Sequence, residues 1–185
     1  MNVYDFDKTI YKNDSTADFF LYCLRKHPQI IGILPSIFAG FIKYYIFKKG
    51  TKTQFKEKIF RFVNYIDYEK DIKEFWSINN KKIKDFYIKQ QQKDDVIISA
   101  SPRFVLEPIC KELGINNLIC SEVDVHSGKY DGENCHGKEK VVRFRALYKN
   151  NKVDKFYSDS KSDTPMAMIS EEPYLVKGNK IKPWN

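Results

Sequence analysis

Two regimes of apolar patterning divide this chain of 185 residues. It opens with a short extended run, Asn2-Val3-Tyr4, that leads into Asp5-Phe6-Asp7-Lys8-Thr9. From Asn13 to Gln92 helical spacing takes over. Asp14-Ser15 offers an N-cap, and Phe19, Phe20, Cys23 and Leu24 mark an apolar face that Pro28 closes. The most apolar stretch follows, QIIGILPSIFAGFIKYYIFKKG, interrupted by Pro35 and ended as an uncharged run by Lys43. A spanning helix needs about 20 apolar residues. The stretch therefore reads as a buried helical hairpin, with a lipid-facing surface as the alternative. After a break at Gly50-Thr51, Phe55, Ile59, Phe62 and Val63 recur at helical spacing. Asp67 starts a last helix carrying Ile72, Phe75, Trp76, Ile83, Phe86 and Tyr87. That spacing assigns the aromatics to a core rather than to a stacking platform for bases. The region predicts about four helices, a small bundle.

Strands then return. Val96-Ile97-Ile98 is a continuous apolar run, as expected of a strand covered on both faces of a parallel sheet. Ser101 suits an N-cap with Pro102 at the first helical position, and Gly114 ends that helix. Leu118-Ile119-Cys120 predicts a third strand, and Glu122 to Asp131 a hairpin turning at 126–129. Asn134-Cys135-His136-Gly137 leads into the helix KEKVVRFRALYK. Val153 to Phe156 predicts a fourth strand, Tyr174-Leu175-Val176 a short last one, and the remainder a polar tail. The sum is an α/β chain, with one core domain formed by 1–12 and 93–185 and a helical module over 13–92 inserted into it.

Composition adds limits. A net charge of +8 suits anionic small substrates, or a nucleic-acid or anionic-membrane partner. The lysines are spread along the chain, which favours the small substrate over nucleic acid. Cys23, Cys110, Cys120 and Cys135 form no CxxC pair. They read as reduced thiols of a cytoplasmic protein. A secretory leader is not expected, because the chemistry-bearing stretch begins at Asp5.

Four places carry candidate chemistry. Asp5 and Asp7 lie two apart at a strand end and point the same way, a costly pairing unless a cation or a shared proton relieves it. Ser99 ends the second strand beside a helix N-terminus, where a phosphate can bind. Lys138 and Lys140 sit at the head of a helix, against its dipole, a conflict that a bound anion would remove. Asp159 and Asp163 follow the fourth strand, four apart, as a metal ligand and a member of its hydrogen-bonding shell can. Each alone is ordinary. Together, in this order and each at a strand end or a following helix, they converge on one rim of an open α/β sheet.

That order, DFDKT at 5–9, Ser99, lysine at 138–140 and DSKSD at 159–163, resembles the haloacid dehalogenase-like hydrolases. It is most similar to the phosphoserine-phosphatase-like branch, whose helical cap is inserted after the first motif. The resemblance implies a Rossmann-like parallel sheet with a helical-bundle cap, and a Mg²⁺-dependent phosphomonoester phosphatase acting on a small phosphorylated substrate. It implies Asp5 as nucleophile and Asp7 as general acid and base. Mg²⁺ would be held by Asp5, the Asp7 carbonyl and Asp159. Ser99 and a lysine would bind the phosphoryl group, and Asp163 would orient the metal shell or the lysine. In many relatives the lysine directly precedes a glycine, whereas His136 precedes Gly137 here. Lys140 is then favoured by its EKV context, with Lys138 second. In the cap, Asp14 matches an acid that grips the substrate, and Arg61 lies beside the position of its arginine partner. The stretch 30–47 keeps a phospholipid-headgroup phosphatase, of the phosphatidylglycerol phosphate type, as the alternative. A non-catalytic basic binding protein on the same fold is the remaining one.

Overall fold

The computed structural model describes residues 1–184. Strand β1 (Val3–Tyr4) comes first. Helices follow: α1 (Ser15–Lys26), a 3-10 turn (Pro28–Ile33), and α2 (Leu34–Phe41) running on as a π-helical turn (Ile42–Ile46). Then come α3 (Lys52–Phe60), a 3-10 turn (Arg61–Tyr65), α4 (Tyr68–Asn79) and α5 (Asp85–Gln90). The remaining elements are β2 (Val96–Pro102), α6 (Arg103–Glu112), β3 (Asn117–Ser121), α7 (Lys138–Leu147), β4 (Val153–Ser158), α8 (Thr164–Ala167), β5 (Ser170–Lys177) and β6 (Lys180–Pro183).

The six strands form one sheet in the order β3-β2-β1-β4-β5-β6, parallel except for the β5–β6 hairpin. This is the α/β architecture that the apolar runs predict. The chain lays down β1, β2 and β3 to one side, then crosses to place β4 and β5 on the other. The reversal falls between β1 and β4, and it opens a crevice at their carboxyl ends. Side chains alternate across the sheet. Val3, Val96, Ile98 and Phe156 join one apolar cluster with Phe144 and Met166. Tyr4, Ile97 and Tyr157 join the other, which also holds Phe19, Phe62, Phe75 and Trp76 of the helical insertion. The insertion therefore shares its core with one face of the sheet. Trp76 seals that joint by donating Nε1–H to the Val105 carbonyl at 2.7 Å.

The insertion leaves and rejoins the sheet at a narrow neck. Tyr11 pairs antiparallel with Ile83, Lys12 N–H donates to the Lys82 carbonyl, and Lys84 N–H donates to that of Ile10. Ile83 is extended there, so the single helix expected over Asp67–Tyr87 breaks into α4 and α5. The second piece, counted with the insertion in the sequence reading, lies past the neck and packs Tyr87 edge-on against Tyr4 of β1, ring centroids 4.9 Å apart.

Three other expectations change. The hairpin expected to be buried is mostly exposed: only Ile30, Ile33 and Gly40 are buried, while Ile31, Phe38, Phe41, Tyr45, Ile46 and Phe47 face solvent. The segment lies at the edge of the insertion, and its aromatic contacts outside itself are to Phe55 of α3. Ser101 is not the cap of α6. Strand β2 runs on to Pro102, and the Ser101 hydroxyl has another partner. The polar tail is β6, paired to β5 across Gly178-Asn179, with Gly178 at φ +59°. A two-residue hairpin turn needs such a left-handed residue.

Candidate active site

The rim between β1 and β4 is built from hydrogen bonds that fix the first acidic stretch. Asp5 N–H donates to the Tyr157 carbonyl at 2.8 Å, which carries the β1 ladder one residue past the strand. The chain then turns sharply, with Ile10 and Tyr11 N–H both donating to the Phe6 carbonyl and Lys8 at φ +58°. The buried ammonium of Lys84 holds that turn by donating to the Lys8 and Gly178 carbonyls at 2.5 and 2.8 Å. Asp7 is clamped from two sides. Its Oδ1 accepts from Ser15 N–H in the first turn of α1 at 2.6 Å, and its Oδ2 from the Ser101 hydroxyl at 2.5 Å. Ser101 is 2.8 Å from the Thr16 hydroxyl, so Asp7 sits where the insertion meets β2.

Lys140 is the centre of the site. It lies at the third helical position of α7, which starts after Gly137 at φ +61°, a conformation suited to glycine. Only 2% exposed, its ammonium donates to Asp5 Oδ1 and Asp163 Oδ2, both at 2.7 Å. Ser158, the last residue of β4, donates to the same Asp163 oxygen at 2.7 Å. Asp163 thus holds the lysine, which in turn touches Asp5. Ser99 is buried and accepts from Ser101 N–H at 3.1 Å. A cavity of about 510 Å³ is lined by Asp5, Asp7, Ser99, Lys140, Asp159 and Asp163. Asp14, which caps α1 by accepting from Ala17 N–H, also lines it.

Burial dominates the electrostatics. It pushes the Asp5 carboxyl up to about 7, with the Lys140 ammonium pulling it back down. It pushes Asp7 up to about 6, with Asp14 adding to the rise and the Ser101 and Ser15 donors opposing it. Burial also works against the Lys140 ammonium, but Asp5 and Asp163 outweigh it and its pKa rises. The two carboxyls at the rim are thus unlike. Asp5 has a cation in contact, whereas the hydrogen-bond donors to Asp7 are all neutral.

A divalent cation suits this donor set. Asp159 faces the same cavity with its carboxyl raised by burial, and among the described residues that carboxylate has no hydrogen-bond partner. Asp163 Oδ1 is buried and unpartnered. The donors are all hard oxygens, as Mg²⁺ requires. Among the described residues no three acidic, His or Cys side chains form a cage by themselves. The ion would therefore draw on Asp5, Asp159, a backbone carbonyl such as that of Asp7, and water, the mixed shell that Mg²⁺ keeps.

Two residues named from the sequence lie elsewhere. Lys138 is exposed, because two positions along a helix rotate it about 200° from Lys140. Arg61 is exposed on the turn after α3 and does not line the cavity. The cation from the insertion is Lys56, with Lys52 beside it. Lys56 Nζ donates to the Ala100 carbonyl and to Asn134 Oδ1, each at 3.3 Å. Burial pushes it down to about 8, and Lys52 adds to the fall. His136 lines the cavity too, its pKa lowered by burial and by Lys52. The spacing of Lys52, Lys56 and Ile59 places them on one face of α3, and that face was the available signal.

A model of the haloacid dehalogenase-like hydrolase family matches residues 3–168. Among curated proteins, CicA of Caulobacter vibrioides is 36% identical over 92 residues, which cover 46% of this chain and 40% of that protein. The match thus spans well under half of that relative. Among solved structures, a protein of unknown function from Bordetella pertussis Tohama I superposes with a TM-score of 0.74 at 18% identity, over 94% of this chain and 87% of its own. A phosphoserine phosphatase captured as a phospho-aspartyl intermediate analogue superposes with a TM-score of 0.58 at 16% identity, over 92% and 83%. At these identities the two structures establish a shared fold.

Proposed function

The chain belongs to the haloacid dehalogenase-like hydrolase family, and on that premise we propose that it is a phosphomonoester phosphatase acting on a small phosphorylated substrate. The observation that carries the reading is the lysine bridge at the rim: Lys140 joins Asp5 to Asp163 inside a cavity that Asp7, Ser99 and Asp159 also line.

In this reading the Asp5 carboxylate attacks phosphorus and forms an aspartyl-phosphate, while Asp7 gives its proton to the departing alkoxide. Asp7, now ionised, takes a proton from the water that hydrolyses the aspartyl-phosphate, and both residues return to their starting states. Lys140 and Ser99 hold phosphoryl oxygens, and Asp163 keeps the lysine aimed. Mg²⁺ held by Asp5, the Asp7 carbonyl and Asp159 would supply charge neutralisation for the phosphoryl group. The four cysteines are free and buried, which supports a reduced, cytoplasmic setting.

The test is a screen of phosphomonoesters with wild type and Asp5→Asn, with Mg²⁺ and after chelation. Turnover that requires Mg²⁺ and falls at least about 10³-fold in Asp5→Asn is expected. An Asp5→Asn protein that keeps wild-type turnover would overturn the reading.

A further inference from the structure

Residues 19–56 contain no Asp or Glu and seven Lys or Arg, so this segment carries nearly all of the +8 net charge. Within it, Pro28–Ile46 has the length and mean hydropathy, 1.4, of a membrane span, yet only 17% of it is buried. Phe38 is 64% exposed, Ile46 62% and Phe47 65%. Isolated exposed apolar residues are common on soluble proteins, but a contiguous set rimmed by polar groups marks an interaction surface. Lys43, Lys48, Lys49 and Lys52 form the rim, all exposed.

This segment does not cross a bilayer. β1 and β2 lie on either side of it in sequence and pair directly, Val3 with Val96, so the chain must return to the side it left. Among the described residues there is no second apolar helix for that return. An apolar helix with a lysine border that cannot span lies in the interface plane.

The same helix reaches the catalytic cavity. Leu34 and Ile37 line it, and Phe38, Phe41 and Tyr45 continue that stripe at helical spacing into solvent. Phe20, Ile59 and Phe60 complete an apolar wall above the polar rim of the sheet. One continuous apolar track therefore runs from the phosphoryl site to the exposed lysine-bordered surface.

We infer that residues 31–49 dock on an anionic lipid bilayer and that the substrate is a phosphomonoester borne by an acyl-chain lipid, its headgroup in the cavity and its chains following α2 into the membrane. The partner is a bilayer because the surface combines bare aromatics with lysines, which matches acyl chains beneath anionic headgroups. The substrate half rests on the phosphatase reading, and the docking half does not.

The experiment is co-sedimentation with vesicles of phosphatidylcholine alone or mixed with phosphatidylglycerol, alongside turnover of p-nitrophenyl phosphate in solution and of phosphatidate in the mixed vesicles. Binding to the mixed vesicles is expected. Lys43→Glu/Lys48→Glu/Lys49→Glu should weaken it by roughly a hundredfold, at about fivefold per lysine near an anionic surface. Phe38→Ser/Phe47→Ser should weaken it at least about tenfold. Both variants should keep p-nitrophenyl phosphate turnover, and both should lose phosphatidate turnover. No vesicle binding by a protein that turns over the soluble ester overturns the docking inference and leaves the phosphatase reading standing. Phe38→Ser/Phe47→Ser that converts a dimer to a monomer without changing vesicle binding overturns it in favour of a second copy. Vesicle binding with no turnover of any phosphomonoester supports the docking half and defeats the phosphatase reading instead.

Discussion

Two stretches of the helical insertion are similarly rich in aromatics and meet opposite fates. In α4 and the turn before it, Phe62, Phe75 and Trp76 are no more than 2% exposed, packed on Phe19, Phe6 and Tyr11. In α2 and its extension, Phe38 and Phe47 stand in solvent. The difference lies in what surrounds the apolar positions. Helix α4 alternates its stripe with Glu69, Lys70, Lys73 and Glu74, so one orientation satisfies both faces. Helix α2 is apolar on every side, LPSIFAGF, so whichever face it turns to the protein another is left bare. Apolar content sets how much surface seeks cover; the polar positions between set whether the chain itself can supply it.

The strongest test of the contrast is stability. Trp76→Ala removes a large buried side chain and leaves the Val105 carbonyl without its donor, and should cost about 3–5 kcal/mol by urea unfolding. Phe38→Ser or Phe47→Ser should fall within about 0.5 kcal/mol of wild type. Equal losses from both regions would mean that the outer face is packed in solution, and the contrast would fail.

A smaller effect separates inner from outer lysines. Lys56→Met should raise KM for an anionic substrate about tenfold with little change in kcat, whereas Lys48→Met should leave KM for a soluble ester unchanged. The pH dependence carries a sign. The pKa of Lys56 is lowered in the folded state, to about 8, from an unfolded value near 10.5. Below about 8 it is the cation that an anion needs, and folding bears the cost of burying that charge. As pH rises from about 8 to 10 the folded state sheds the proton first, so stability gains and anion binding weakens. The groups facing Lys56 are Lys52, which lowers its pKa, and Asp14, Asp7 and Cys135, which raise it. KM should rise above pH 8 in wild type and lose that rise in Lys56→Met; a KM profile identical in the two would remove Lys56 from substrate binding.

The rim was legible in the sequence and the insertion's inner wall was not, for a physical reason. Asp5, Ser99 and Asp159 each follow an apolar run, and parallel strands bring their carboxyl ends together whatever the loops do. Lys140 could not be told from Lys138 without the first helical residue, and Gly137 at φ +61° sets that start. Lys56 depends on how α3 is rotated against the cavity. Its spacing to Lys52 and Ile59 puts it on one face of α3, but that spacing does not say which face meets the cavity. Arg61 fell in a turn that no helical period describes. The β5–β6 hairpin carries a turn signal in Lys177-Gly178-Asn179-Lys180, but its second strand, Lys180–Pro183, is too polar for an apolar pattern to mark it.

The finest test sits on α3, which borders both regions. Its first turn is fixed by a capping box. The Thr51 hydroxyl accepts from Gln54 N–H at 3.1 Å, and the Gln54 side chain accepts from Thr51 N–H at 3.2 Å. Lys52 is the first helical residue, and its charge opposes the helix dipole there, so this turn frays readily once uncapped. Lys56 lies one turn further in, held by Ala100 and Asn134. Thr51→Ala should cost about 1 kcal/mol of stability and loosen Lys52 while leaving Lys56 in place. KM for a soluble ester should then move by less than about threefold, and vesicle binding by no more than the loss of a single ordered lysine. If Thr51→Ala instead matches Lys56→Met in KM, the first turn of α3 and the inner lysine act as one unit, and the boundary between the packed and the bare side of the insertion lies further out, toward α2.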